Sequence, residues 1–298
     1  MKKLLALILV GVMILVPACR VDDGGNGKEE KYADIKWTFE DGVLTISGKG
    51  KMPNYAGSYV NSEKSECAPW IEESNSIYEV IIKNGITSIG NDAFCGCESL
   101  MSIEIPESVT TIGGYAFYGC ESLMSIKIPD SVTIIGDETF SFCKSLTSIE
   151  IPDSVTIIGE RTFWSCDSLA SIEIPASIIT IGEGTFSCCD NLNSIHVDKN
   201  NEKYMDFDGV LYTKGMEKIV AYPARNGSSY SIPESVTSIG DYAFYSCGSL
   251  MSVEIPESVT SIGDSAFSYC HDLAIYGKAG SYAEEYAIKK DIPFSVIE

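Results

Sequence analysis

The sequence predicts an α/β solenoid, a stack of coils of about 23 residues whose short strands run parallel. Two observations carry this. The stretch from Ile103 to Leu123 returns almost unchanged 23 residues later and again after that, so Leu100, Leu123, Leu146, Leu169 and Leu192 stand at equal intervals, as do Leu250 and Leu273. Each copy is apolar at the same places: Leu-x-x-Ile-x-Ile-Pro, then Ser-Val-Thr-x-Ile-Gly, then Ala or Thr followed by Phe, then Cys. A unit this short cannot bury its own apolar face and must lend it to a copy of itself.

Composition sets the outer limits. The chain is 45% hydrophobic and can bury a core, and its formal net charge is −21. Such a surface repels nucleic acid, heparin-like polyanions and anionic headgroups, and favours basic partners or divalent cations.

Residues 1–18 read as a signal peptide. Lys2-Lys3 precedes an apolar run of 13 residues, Leu4 to Val16, shorter than the ~20 a membrane span needs. Val16-Pro17-Ala18-Cys19 resembles a bacterial lipobox, although Pro17 departs from the residue usual there. That resemblance implies cleavage before Cys19, acylation of its thiol and a membrane lipid anchor. Loss of the leader's two lysines takes the exported charge to −23. The glycine-rich, charged residues 19–31 read as a lipidated flexible tether.

Residues 32–75 read as a β cap. Trp37-Thr-Phe39 and Val43-Leu-Thr45 alternate apolar and polar residues around Asp41-Gly42, a two-residue hairpin turn. A cap is what the first coil needs to avoid exposing an apolar cross-section. The solenoid spans residues 76–276. Its Ile-x-Ile makes a short strand that proline ends, Val-Thr-x-Ile brings the chain back, and Gly90, Gly113, Gly136, Gly159, Gly182, Gly240 and Gly263 suit a tight bend with unusual dihedrals. Stacking places Phe94, Phe117, Phe140, Phe163, Phe186, Phe244 and Phe267 in one column, ~4.8 Å apart if the strands pair. Between Leu192 and Leu250 one coil carries twelve extra residues. This insertion, at about 198–226, reads as a hairpin projecting from the stack and turning near Lys214-Gly215. Residues 277–298 read as a far cap, with a capping box at Ser281 and Glu284, a helix from Tyr282 to Lys290 and a last strand at Pro293 to Ile297.

Cys97, Cys120, Cys143, Cys166, Cys189, Cys247 and Cys270 hold one slot of the repeat. Stacking would set their β-carbons ~4.8 Å apart, beyond the ~3.5–4.5 Å of a disulfide. They read as buried thiols packing as small hydrophobes. Cys67 lies outside this ladder, and Cys95 and Cys188 fall in variable slots that favour exposure. So many thiols suggest a reducing or anaerobic habitat.

These units resemble the leucine-rich repeats of the BspA-like family of bacterial surface proteins. The Ala-Phe-x-x-Cys signature, the Trp37–Gly50 cap and the carboxyl end share the likeness. The resemblance implies a curved right-handed solenoid with its parallel sheet on the concave side, and a role in adhesion or host-protein binding.

Outward strand positions then supply the candidate binding residues on the concave face. One column is Ser102, Ser125, Ser148, Ser171, Ser194, Ser231 and Ser252. The other is Glu104, Lys127, Glu150, Glu173, His196 and Glu254, with the acidic turns at Asp130 and Asp153 off that face. Tyr118, Trp164 and Tyr245 share a slot on the opposite side, where exposed aromatics could grip sugars or proteins. Catalytic signals are absent. His196 and His271, the only histidines, sit in different slots of distant coils, so spacing indicates no Ser-His-acid or Cys-His arrangement. Ser141-Phe-Cys-Lys144 crosses variable slots and the cysteine ladder and is a chance match to Ser-x-x-Lys. Asp198-x-Asn200-x-Glu202 opens like a calcium loop but lacks the glycine, Lys203 standing in its place, and the closing glutamate. No cofactor, metal site or enzymatic activity is expected. The leading reading is a surface-anchored lipoprotein that binds a protein or glycan of a host or neighbouring cell. A structural spacer is the alternative, and a polysaccharide-processing enzyme a remote one.

Overall fold

The computed structural model describes residues 34–56 and 67–297. The leader, Cys19 and the tether lie outside them. The chain is a right-handed parallel solenoid. Its first ladder, whose strands pair in four groups, is formed by Glu79–Ile82, Ser102–Glu104, Ser125–Lys127, Ser148–Glu150, Ser171–Ile174, Ser194–Val197, Ser229–Ser231, Ser252–Glu254 and Ala274–Gly277. In each the central Ile or Val turns inward and its neighbours face solvent, except Tyr230, which takes the inward place of Ser229–Ser231 opposite Val253.

The segment expected only to bring the chain back is a second parallel ladder. Gly50–Lys51, Ile86–Ile89, Thr111–Ile112, Ile134–Ile135, Ile157–Ile158 and Thr180–Ile181 pair in order. Val-Thr-x-Ile is β-branched throughout, and a two-residue strand suffices when a copy lies on each side. At the corner between the ladders, Ser108 Oγ donates to Ile86 O at 2.6 Å and Ser154 Oγ to Val132 O at 2.7 Å, tying each corner to the coil before it.

A third wall of consecutive turns closes the coil. It too is hydrogen-bonded from coil to coil, with Phe94 N donating to Ala116 O (2.8 Å) and Phe117 N to Thr139 O (2.9 Å). Left-handed dihedrals fall here on non-glycine residues: Asp92, Tyr115, Glu138, Arg161, Tyr242 and Ser265 have φ between 48° and 57°. None of the repeat glycines expected to supply such dihedrals has positive φ. They are glycines because the coils touch there. A β-carbon on Gly136 would lie 2.5 Å from Gly114 N, and one on Gly182 2.3 Å from Glu160 N.

The phenylalanine column forms with centroids 5.4–5.8 Å apart from Phe94 to Phe186 and rings within 12° of parallel. That exceeds the ~4.8 Å strand spacing because offset stacking slides each ring over its neighbour. Trp70 continues the column at 5.8 Å from Phe94, its indole donating to Ala93 O, and Tyr286 of the terminal helix closes the other end edge-on to Phe267. Both caps form. Lys36–Glu40 and Val43–Ser47 make the hairpin around Asp41-Gly42 and lead into Glu79–Ile82. Ser281 caps the helix Tyr282–Lys290, and Phe294–Val296 pairs with Ala274–Gly277.

The insertion differs from its expected form. The turn near Lys214-Gly215 joins Val210–Thr213 to Lys218–Ala221, and a further hairpin turns at Asp208-Gly209, pairing Tyr204–Phe207 with Val210–Thr213. Both Asp208 and Gly209 have positive φ, as that two-residue turn requires. The element does not project. Val210, Leu211 and Tyr212 are fully buried, Leu211 in the core of the coils before it and Val210 and Tyr212 in the core of those after it. An apolar Val-Leu-Tyr strand cannot stand in water when a core cross-section is open beside it. The Asp198-Lys-Asn-Asn turn is structural: buried Asn201 donates to Pro175 O and Ile178 O and accepts from the amides of Lys203 and Tyr204.

The ladder cysteines are buried or half-buried thiols, as packing required, and those from Cys120 onward each also donate a weak bond. Cys120 Sγ lies 3.3 Å from Phe94 O, Cys166 Sγ 3.2 Å from Phe140 O and Cys189 Sγ 3.1 Å from Phe163 O. Cys95, expected exposed, is buried, and Cys188 is half-buried. Burial pushes Cys97 from its ordinary 9.0 up to about 12, with Cys95 adding to the rise. Burial also pushes Cys120 and Cys166 well up.

Two outcomes follow from these contacts. Gly136→Ala drives a methyl into a neighbouring backbone, whereas Gly119→Ala, at φ +70° with the nearest atom 3.8 Å away, meets only the ~1–2 kcal/mol left-handed penalty. Gly136→Ala is therefore expected to lower the urea midpoint further than Gly119→Ala, and equal midpoints would contradict the close-contact reading. Raised thiol pKa values favour the folded state below the unfolded value and lose that contribution as pH climbs through the folded one. Stability should fall from about pH 9 towards pH 12, and Cys→Ala changes at ladder positions should flatten that fall in pH-dependent denaturation.

Candidate binding face

The first ladder presents its outward side chains in register. Ser125 stands opposite Ser148, Lys127 opposite Glu150, Ser171 opposite Ser194 and Glu173 opposite His196. Ser102 and Glu104 pair with Glu79 and Ile81 at the amino-terminal end of the face. Farther on, Ser229 faces Ser252 and Ser231 faces Glu254. Ser231 thus belongs to the charged column rather than the serine column, and its hydroxyl donates to Glu254 Oε2 at 3.2 Å. The 23-residue period itself sets Ser229 with Ser252 and Ser231 with Glu254, Tyr230 filling the inward slot of Val253, so the expected place of Ser231 is off by two residues. Ser194 and Ser252 are half-buried, and the other candidate residues are exposed.

The face is not one continuous array. Ser102–Glu104 is not paired with Ser125–Lys127, nor Ser148–Glu150 with Ser171–Ile174, nor Ser194–Val197 with Ser229–Ser231, where the insertion intervenes. The tip of the inserted hairpin lies against Ser194–Val197, Ile195 N donating to Gly209 O at 2.8 Å, and Asn226 Nδ2 reaches Asp208 O at 2.7 Å. Ser252 and Glu254 therefore sit apart from the cluster around Glu150, Glu173 and His196.

That cluster borders an open groove of about 980 Å³, lined by Ser148, Glu150, Ser171, Glu173 and His196, and by Asp130, Asp153 and Asp198. Asp130 and Asp153, expected off this face, border the same groove because the proline corner that carries them bends back over the strand ends. Lys127 lines a smaller groove of about 310 Å³ alongside, with Ser125, Ser148 and Glu150. Five carboxylates against one imidazole make the larger groove a trap for positive charge, since walls of one sign concentrate the field between them.

A second groove of about 980 Å³ runs along the return ladder, from Lys51 and Asn54 past Thr111 and Ile134 to Ile157 and Gly159. Sequence reasoning missed it by taking that stretch for a connection. Its lining is mostly backbone, glycine and isoleucine, with few charges to select a partner.

Asp206 was also missed. Ser194 Oγ lies 3.0 Å from His196 Nε2, and His196 Nδ1 lies 3.8 Å from Asp206 Oδ2. The other Asp206 oxygen accepts Val197 N at 2.8 Å, which fixes the carboxylate. Repeat spacing points to no such trio, because the acid comes from the insertion. The available signal was that the face's one histidine falls in the one coil that carries an insertion.

Tyr118, Trp164 and Tyr245 are half-buried and pack against other rings of the third wall. Tyr118 meets Tyr115 and Phe142, and Trp164 lies 4.7 Å from Tyr245. Trp164 can reach across because the third wall of the inserted coil is shortened, Ile219 to Tyr222 standing where Ile89 to Phe94 does, and Ser187 and Tyr242 of flanking coils touch directly. Arg161 fills the junction, 5.7 Å from the Trp164 ring centre and 5.2 Å from that of Tyr242.

Six copies of the BspA type leucine rich repeat region match residues 72–193 and 218–278. A leucine-rich repeat protein from Eubacterium ventriosum is 32% identical over 83% of this chain and 70% of its own, with a TM-score of 0.70. A leucine rich cell surface protein from Faecalibacterium prausnitzii is 29% identical over 85% of this chain and 76% of its own, at TM-score 0.58. The pneumococcal vaccine antigen PcpA shares the fold at TM-score 0.63 and 21% identity, over 81% of this chain and 68% of its own. No curated protein is significantly similar to this chain.

Proposed function

This chain belongs to the BspA-type leucine-rich repeat family, and from that membership we propose that it is a surface-displayed module that binds a protein through a basic segment laid along the first-ladder groove. The observation that carries the proposal is the groove of about 980 Å³ bordered by Asp130, Glu150, Asp153, Glu173 and Asp198. The framework beneath is the same in every coil, while the outward charged slot changes from Glu104 to Lys127 to Glu150 to Glu173 to His196. Variation along an exposed column over a constant scaffold is how a repeat protein carries recognition. A net charge of −21 suits a basic partner.

Display at the cell surface is part of the same proposal. It rests on the leader and Cys19 and is supported by the cell surface description of the Faecalibacterium relative. Anchoring through lipid on Cys19 would leave residues 20–31 as the tether between membrane and solenoid. Host and neighbouring-cell surface proteins are the partner class this arrangement suits.

The test is an array of surface and matrix proteins and glycans probed with residues 32–298, followed by affinity measurement on any hit. Glu150→Lys with Glu173→Lys is expected to weaken binding tenfold or more, and added salt should weaken it as well. Glu160→Lys with Asp264→Lys, on exposed acids outside the groove lining, should leave binding within twofold. Equal effects from the two pairs would exclude the groove. Independently, Cys19→Ser is expected to abolish incorporation of labelled fatty acid and release the protein from the membrane fraction; continued labelling would refute the anchor.

A further inference from the structure

We propose that Ser194, His196 and Asp206 form an acyl-accepting site, in which the Ser194 hydroxyl takes the acyl group of an activated ester. The geometry assigns the roles. Ser194 Oγ and His196 Nε2 are 3.0 Å apart, close enough for the imidazole to withdraw the hydroxyl proton. His196 Nδ1 lies 3.8 Å from Asp206 Oδ2, beyond direct hydrogen-bond length, and the carboxylate's negative charge on that side favours the neutral tautomer with hydrogen on Nδ1 and a bare Nε2 towards the serine. Asp206 is itself held by Val197 N at 2.8 Å. His196 is exposed, so a substrate can approach from solvent.

The trio is not a by-product of the repeat. The serine slot is filled in every coil from Ser102 to Ser194, but the slot two residues on holds Glu104, Lys127, Glu150 and Glu173 before it holds His196. Asp206 comes from the inserted hairpin, which folds back so that its carboxylate bonds the strand carrying the histidine. Glu173, opposite His196 on the neighbouring strand, adds a second negative charge. These acids oppose anionic acyl donors, so the substrate class is a neutral or cationic ester.

In the reaction Ser194 Oγ attacks the ester carbonyl carbon while its proton passes to His196 Nε2. The tetrahedral intermediate collapses, the bond to the leaving alkoxide breaks, and His196 returns the proton to it. The products are acyl-Ser194 and an alcohol, and water attacking by the same route frees the acid and restores the serine. The amides of Ile195 and Val197 are spent on Gly209 O and Asp206 Oδ1, so solvent stabilises the oxyanion. Removing one oxyanion-hole donor from an enzyme costs about 10²–10³ in rate, which makes this a slow acceptor best read in a single turnover.

The repeat supplies its own control. Ser171 holds the equivalent position one coil earlier, with Glu173 where Ser194 has His196. The full mature chain would be treated with p-nitrophenyl acetate, and acetylated serines located by peptide mass spectrometry over time. Ser194 is expected to acetylate at least tenfold faster than Ser171. His196→Gln should bring it down to the Ser171 rate. Asp206→Asn, which keeps an oxygen for Val197 N, should slow it several-fold with an unchanged circular dichroism spectrum and melting temperature. Acetylation of Ser194 no faster than Ser171, or undiminished in His196→Gln, would overturn the proposal.

Discussion

Each coil rests on the next at backbone contact distance, and nearly every feature of the molecule follows from that closeness. Amides bond carbonyls from coil to coil on all three walls. Bringing backbones this near leaves no room for a β-carbon at the corner, which is why Gly113, Gly136, Gly159 and Gly182 recur. It also sets what can lie inside: an inward strand residue, a leucine, the valine and isoleucine of the return ladder, a phenylalanine and a thiol in each regular coil. The thiol is suited to its slot because it is small, apolar and still able to donate weakly to a phenylalanine carbonyl one coil away. Where the third wall carries buried threonine instead of alanine, as at Thr162, the hydroxyl reaches Gly159 O and Gly136 O, so no polar group is stranded.

The inserted coil is where this regime breaks, and three consequences converge there. Lys218–Ala221 still serves the return ladder through its pairing with Ser238–Ile239. Tyr222 takes the phenylalanine place, stacking 4.8 Å from Phe244 and accepting the Cys247 thiol at 3.6 Å. The third wall is shortened in this coil, with one turn closed by Asn226 N to Pro223 O, and Arg161, Trp164, Tyr242 and Tyr245 close over the gap. Meanwhile the hairpin carries Val210, Leu211 and Tyr212 through the cross-section, joining two cores that would otherwise meet imperfectly. The same movement delivers Asp206 to His196. The insertion is thus a splice between two stacks, and its exposed edge is the one place on the first-ladder face where neighbouring side chains form a chemically distinct set.

Recognition and architecture occupy different atoms here. The residues that repeat are buried and define the scaffold. Lys127, Glu150, Glu173 and His196, which differ from coil to coil, are exposed along one line. Such a division lets the outward column vary without disturbing the stack. It also means that family membership speaks to the scaffold, while the partner must be sought in the charge and shape of the groove.

The sequence alone determined the period, the inward and outward sides of the first ladder, both caps and the state of the ladder thiols, because each depends on a local pattern repeated at fixed spacing. Tertiary structure decided the rest. Val-Thr-x-Ile became a second sheet only because neighbouring copies lie within hydrogen-bond reach. The repeat glycines answer to contact between coils, which no single coil's dihedrals reveal. Asp130 and Asp153 joined the groove because the corner folds back over the strand ends. Asp206 met His196 because an apolar hairpin sought the core instead of solvent. In each case the deciding quantity was the distance between segments that the repeat does not relate.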